Sequence, residues 1–172
     1  ASTVYYEENK METLDGTQSF TEWTEKGSYS GKYQSLSTNN DVFGSDKTYY
    51  DSKDNFSLGT NKEVTVSSSN TRSDTQSFTF TGVGFDLISA CAKNTGIQTV
   101  TVKQHQTDGT QNIVKVFMVD TFYSDSTYGT IYQVPVVQFK GDYGTYTVET
   151  TAAYYSFSGA LKTQSVDEYA VE

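Results

Sequence analysis

Short runs in which threonine or serine alternates with valine, phenylalanine or tyrosine recur along this chain, as in Ser77-Phe78-Thr79-Phe80-Thr81 and Thr99-Val100-Thr101-Val102. Alternation at period two sends one set of side chains into a core and the other into water. β-branched and aromatic residues are the ones that pack well on a pleated surface. No segment carries convincing helical periodicity. With 14 Tyr, 10 Phe, 13 Gly and a single Pro in 172 residues, the expected product is an all-β domain with aromatic-bearing polar loops. Aliphatic content is modest, but the 15% of aromatic residues each bury a large area and compensate.

Strands are expected at 2–7, around 17–24 and 27–34, and then at 63–67, 75–81, 85–89, 98–104, 112–122, 130–139 and 145–151. The turn signals between them are Gly82 and Gly84, Asn94-Thr95-Gly96, Asp108-Gly109, Gly129 and Gly141-Asp142-Tyr143-Gly144. Ile113 to Val119 is apolar on both phases apart from Lys115, which predicts a central strand covered on both sides. Pro135 lacks a backbone donor and marks an edge, a strand end or a bulge. Residues 161–171 read as a short helix or a last strand. Several short strands at this spacing predict a β-sandwich or jelly roll, built as one domain over 1–172 because no Pro-, Gly- or charge-rich block divides the chain. After the strand at 27–34 a long loop runs through Asp54, a region type that usually either binds or is disordered. The aromatics dotted between Thr13 and Gly59, which are Phe20, Trp23, Tyr29, Tyr33, Phe43, Tyr49, Tyr50 and Phe56, argue against disorder.

The formal charge of −9, from 12 Lys and Arg against 21 Asp and Glu, argues against nucleic acid, which demands dense cations to displace counterions. The same balance disfavours an anionic membrane surface, and no apolar run is long enough to insert into a bilayer. Cys91 has no intrachain partner for a disulfide. The chain opens at Ala1, and we expect a removed signal peptide or a unit excised from a longer extracellular protein.

Little in the sequence favours catalysis. His105 is the single histidine, in Lys103-Gln104-His105-Gln106 before a turn, so a His-based metal cluster is excluded and the residue reads as solvated. Cys91 reads as a small buried filler. A glycosidase needs two carboxylates facing across a cleft, and among 21 acids a pair can always be nominated, so nomination carries no weight. No cofactor is expected. A structural calcium stays open, because Asp41, Asp46, Asp51 and Asp54 make an oxygen-rich loop.

Glycan-type equipment is present. A sugar ring offers a face of C–H bonds that packs on an aromatic plane, while amides and charged groups bond its hydroxyls. Trp23, the sole tryptophan, is read either as core packing or as such a platform. Tyr49, Tyr123 and Tyr128 sit in loops, where a tyrosine ring stacks and its hydroxyl bonds at low entropic cost.

A further signal lies in the order of motifs. Phe78-Thr79-Phe80-Thr81-Gly82-Val83-Gly84-Phe85-Asp86-Leu87-Ile88-Ser89, then Val119-Asp120-Thr121-Phe122-Tyr123, Tyr132-Gln133-Val134-Pro135-Val136 and Tyr143-Gly144-Thr145-Tyr146-Thr147-Val148 follow one another. Together with Val4-Tyr5-Tyr6-Glu7 they resemble galactose-binding-like jelly rolls found in large surface proteins of gut Gram-positive anaerobes, starch-adherence modules among them. The resemblance implies a galactose-binding-like jelly roll and a glycan-binding or adhesive role. Two departures stand out. Lys93 occupies a loop where the family often carries an Arg-Thr-Asn run, and the family's closing strand motif is not recognisable near Val166 to Val171.

The expectation is therefore a non-catalytic carbohydrate-binding module of a secreted or cell-surface bacterial protein, monomeric within a multimodular chain. Its partner would be a polysaccharide or oligosaccharide, with an α-glucan such as starch first. The aromatic candidates are Trp23, Tyr49, Tyr123 and Tyr128, and the polar ones Lys93, Asn94, Asp125 and Gln133. The competing expectation is a structural spacer or protein-binding adhesin.

Overall fold

The computed structural model describes residues 3–7, 12–13, 24–27, 56, 60–66, 75–124, 129–153 and 162–172. Through them run β1 (Val4–Glu7), β2 (Glu12–Thr13), β3 (Thr24–Gly27), β4 (Thr60–Val66), β5 (Gln76–Ala92), β6 (Ile97–His105), β7 (Gln111–Asp120), β8 (Thr130–Ala152), β9 (Lys162–Val166) and β10 (Glu168–Val171). The larger sheet has the order β1-β10-β5-β8-β6-β7, with β2 also on β5, and the smaller one is β3-β4-β9. Val64, Val66 and Val166 of the smaller sheet share one core with Phe78, Phe80, Val100, Val102, Val148 and Tyr169 of the larger. The chain is an all-β sandwich. β8 separates β5 from β6, and β10 returns from the smaller sheet to lie between β1 and β5, so the connections cross over as in a jelly roll rather than meander.

The glycines at 82, 84, 141 and 144 do not end strands. The expected pairs 75–81 with 85–89 and 130–139 with 145–151 each fuse into one long strand, and β5 and β8 form a continuous antiparallel ribbon. Its register shifts between Gly82 and Gly84, where Gly82 lies opposite Gly144 and Gly84 opposite Lys140. Three residues of β8 then oppose one of β5, a bulge that glycine accommodates as readily as a turn. A Cβ on Gly84 would collide with the backbone carbonyl of Phe139. The bulge is pinned by the Tyr146 hydroxyl, which donates to the Asp142 carbonyl at 2.5 Å.

Alternation works as expected within the ribbon. Phe78 and Phe80 face inward, and Phe78 stacks on Tyr169 with centroids 4.3 Å apart, while Phe80 stacks on Tyr146 at 5.5 Å. Such pairs contribute roughly 0.5–1.5 kcal/mol each beyond the area they bury. On the outward face, hydroxyls pair across the strands: Thr75 with Thr151, Thr79 with Thr147 and Thr81 with Thr145, at 2.8, 3.0 and 2.8 Å.

One other expectation changes and two are narrowed. Among the described residues β7 is an edge strand, not a central one, and Ile113, Val114, Val116 and Met118 are exposed. Its register with β6 shifts at Val102/Lys103, which skips Val114 and brings Ile113 to the same face as Val116 and Met118. Composition could not reveal this, because an apolar run has the same alternation whether or not a neighbour covers it. Residues 162–171 form two strands, and β10, although it lacks the family's closing motif, is wholly buried. Pro135 sits beside the register shift at Leu87/Ile88, on a part of β8 that β6 does not reach, so it is both at a bulge and at an edge.

Not all of the inner face is apolar. Gln76 and Gln98 are fully buried, and among the described residues neither side-chain amide has a hydrogen-bond partner. Gln76 lies opposite Thr150, and Gln98 is two residues from the partner of Thr150, Val100. A buried amide left unpaired costs about 1–3 kcal/mol, so Gln76→Leu and Gln98→Leu should each raise the melting temperature by a few degrees. Calorimetry checks this, and a fall in melting temperature would show that the amides are bonded in the folded protein.

Candidate functional site

One end of the sandwich is knit by two threonines. In the turn from β5 to β6, Thr95 Oγ1 accepts the Ala92 N–H at 3.0 Å and donates to the Thr121 carbonyl at 2.6 Å. Thr121 in turn donates to the Gly96 carbonyl from its backbone N–H at 3.0 Å and from Oγ1 at 2.7 Å. The Tyr123 N–H then donates to the Ala92 carbonyl at 2.9 Å. Both threonines are buried. Short polar side chains that bond nearby backbone groups replace the missing ladder partners, so the turn and the segment after β7 are held as one piece. The start of β8 joins them, with Thr130 opposite Ala92 and Ile131 opposite Cys91.

Beside this knot opens a cleft of about 220 Å³. Ala90 and Ala92 leave the space, Asn94, Thr95 and Thr130 give polar atoms, and Phe56, Glu63 of β4 and Tyr132 of β8 complete the lining. Phe56 and Tyr132 meet edge to face, centroids 5.0 Å apart and planes at 89°. The β5–β8 register shifts again between Ser89 and Cys91, and Gln133 in the opposing stretch of β8 has φ of 54°. Left-handed backbone at a non-glycine residue costs of order 1–3 kcal/mol and persists only where the surroundings enforce it. Bulges of this kind re-aim side chains, here beside Tyr132.

Four of the sequence candidates fall at this end. Asn94 lines the cleft, and Lys93 is exposed on the same turn. Tyr123 is half-buried and tied to Ala92 through its backbone, and Gln133 follows Tyr132 in β8. Trp23, Tyr49, Asp125 and Tyr128 lie outside the described residues, as do the acids of the 41–54 loop that raised calcium. Phe56, Glu63 and Tyr132 were not among the candidates. Phe56 was one of many aromatics before Gly59, and Glu63 and Tyr132 read as ordinary strand residues. Only the opposition of β4 and β8 across the cleft singles them out.

His105 and Cys91, the two residues considered under catalysis, have separate surroundings. His105 Nε2 lies 2.7 Å from Thr147 Oγ1, on the outward face of the larger sheet. Cys91 is buried, and burial first, then the Asp120 carboxylate, push its thiol up to about 11. Among the described residues no group of three or more His, Cys, Asp or Glu could hold a metal ion.

No protein-family model matches the sequence, and no curated protein matches it. Solved structures similar to the chain include the enzymatically active domain of tailspike protein 4 from bacteriophage CBA120. It aligns with 89% of this chain and 20% of its own, at 11% identity and a TM-score of 0.42. This chain thus spans about a fifth of that one. Another is TmCBM61 in complex with β-1,4-galactotriose, aligned over 93% of this chain and 94% of its own, at 10% identity and a TM-score of 0.36.

Two measurements probe this end of the molecule. Gln133→Gly should leave stability unchanged or higher, whereas Gln133→Val should lower it by about 1–3 kcal/mol in urea unfolding, because a β-branched residue tolerates positive φ least. A thiol whose folded pKa is raised holds its proton more tightly when folded, so its contribution to stability is complete below pH 9 and is lost towards about 11. Tyr169, raised by burial from 10 to about 12, extends the same loss to higher pH. Cys91→Ala should therefore flatten the pH dependence of unfolding between 9 and 11 and leave the Tyr169 part in place.

Proposed function

We propose that this chain is a non-catalytic carbohydrate-binding domain of a secreted or cell-surface bacterial protein, and that the cleft between β4 and β8 is its binding site. The observation that carries this reading is the joint lining of the cleft by an aromatic pair, Phe56 and Tyr132, and by the Asn94 amide and Glu63 carboxylate. The apolar face of a sugar ring packs on the rings, and its hydroxyls donate to the carboxylate and exchange bonds with the amide and Thr130. A volume of 220 Å³ suits one sugar unit, below the roughly 300–1,000 Å³ of drug-sized sites. Lys93, Gln133 and Tyr123 stand at the same end, where further units of a polymer would pass. Glu63 is the one carboxylate among the described lining residues, whereas hydrolysis by the usual route uses two. Among polymers an α-glucan comes first, on the resemblance of the sequence motifs to starch-adherence modules. Weak single sites then gain strength from repetition in a multimodular parent.

A protein-binding adhesin is the second reading. It is favoured by the exposed apolar stripe of Ile113, Val116 and Met118 on the edge strand β7.

Affinity electrophoresis in gels containing starch, pullulan, xylan or glucomannan tests the first reading, with Tyr132→Ala and Glu63→Gln beside the native chain. We expect retardation by starch and pullulan, weakened about tenfold or more by Tyr132→Ala in a protein that still folds, with no release of reducing sugar. Free migration in every gel favours the adhesin.

A further inference from the structure

A second notch lies about four residues back along β5, on the face of the larger sheet that points away from the core. Two neighbouring rows of the sheet show how it arises. In one, Tyr6, Tyr169, Leu87 and Val137 pair across β1, β10, β5 and β8 and fill the core. In the adjacent row, Tyr5 pairs with Ala170, Ala170 with Asp86 and Asp86 with Gln138, so these side chains point outward. A methyl group between a tyrosine and a carboxylate leaves a gap two strand spacings wide, about 10 Å. That gap is a cavity of about 120 Å³ with Ala170 on its floor, Tyr5 and Asp86 among its walls, and Lys140 and Glu172 at its rim.

Its walls are fixed by ordinary means. The Val83 N–H donates to the Glu172 carbonyl at 2.7 Å and the Glu172 N–H to the Gly84 carbonyl at 3.1 Å. Lys140 Nζ and Glu172 Oε2 form an ion pair at 3.1 Å, which occupies both groups with each other. The Asp86 carboxylate and the Tyr5 ring differ in this respect. Among the described residues neither has a hydrogen bond, ion pair or ring contact, and Tyr5 is 62% exposed. An unengaged acceptor pair thus faces an unengaged aromatic plane across an apolar floor.

We propose that this notch is a second carbohydrate subsite, taking one neutral sugar ring with its C–H face on Tyr5 and two adjacent hydroxyls donating to Asp86. The inference rests on the carbohydrate-binding reading of the chain. A carboxylate beside an aromatic ring also suits a cation. The Lys140–Glu172 ion pair adds no net charge at the rim, so the neutral ligand is chosen because it extends the carbohydrate reading, and the cation is an outcome of the test. Because four residues of strand separate Asp86 from Ala90 of the first cleft, about 13 Å, the two sites can engage one polymer chain.

Amide-resolved NMR titration of the whole chain tests this, with maltoheptaose, xylohexaose and mannohexaose as sugar probes and tetramethylammonium chloride as the cation probe. One sugar should shift two separate groups of amides, around Asn94 and Thr130 and around Asp86 and Ala170, with little dependence on salt. Tyr5→Ala or Asp86→Asn should abolish the second group alone and weaken binding to the long polymer about tenfold, while Tyr132→Ala abolishes the first. Both Tyr5 and Asp86 point outward, so an unchanged melting temperature verifies that each variant is folded. Shifts confined to the first cleft overturn this proposal and leave the carbohydrate reading standing. Salt-sensitive shifts near Asp86 with tetramethylammonium, and none there with sugar, overturn it in favour of a cation site. No shift with any sugar overturns both.

Discussion

The antiparallel pairing of β5 with β8 is the constraint on which the rest of the structure depends. It runs from Gln76 opposite Thr150 to Ala92 opposite Thr130 and so spans nearly the whole of both strands. One end of the ribbon carries the aromatic stack: Phe78 on Tyr169, Phe80 on Tyr146, and Phe85 in contact with both Phe80 and Tyr169. The other end carries the cleft. Side chains of the smaller sheet have a core to join because this ribbon presents a continuous inner face, and β10 and β6 take their places as its neighbours on either side.

Such a long ribbon cannot stay flat, and three register shifts bend it and add to its twist. Each has a consequence. The shift at the facing glycines bends the ribbon and lets the Glu172 backbone bond to Val83 and Gly84, which forms the rim of the outward notch. The shift at Leu87/Ile88 accommodates Pro135. The shift between Ser89 and Cys91 lies opposite Gln133, whose left-handed backbone sits beside the tyrosine that meets Phe56. Local strain is thus placed beside the candidate cleft, at the expense of ideal ladder geometry.

How much of this was legible in the sequence differs from feature to feature. The inward set of Phe78, Phe80, Val100, Val102 and Val148 followed directly from alternation, because burial on one face leaves a period-two mark that nothing else in these strands competes with. The glycines were legible as departures from regular strand but not as bulges, since the same residue permits a turn or a bulge and only the facing strand decides which. Ile113 to Met118 misled for a similar reason. Composition records how apolar a strand is, whereas its place at the edge depends on which strand arrives beside it. At the candidate cleft, Asn94 was legible as a polar residue in a turn. Phe56, Glu63 and Tyr132 were not, because they become a group only through contacts between β4, β8 and the residue before them.

By itself the sequence determined that the chain is all β, which side of most strands faces the core, and that acids outnumber bases, for a net charge of −9. These are properties of local pattern and of total charge, and they survive any choice of strand order. Tertiary structure alone decided that two glycine-punctuated pairs of strands are one ribbon, that an apolar run lies at an edge, and that Tyr132 meets Phe56 while Tyr5 faces Asp86. Those outcomes depend on register, and register is set by the sum of weak cross-strand contacts over the whole sheet rather than by any residue's own preference.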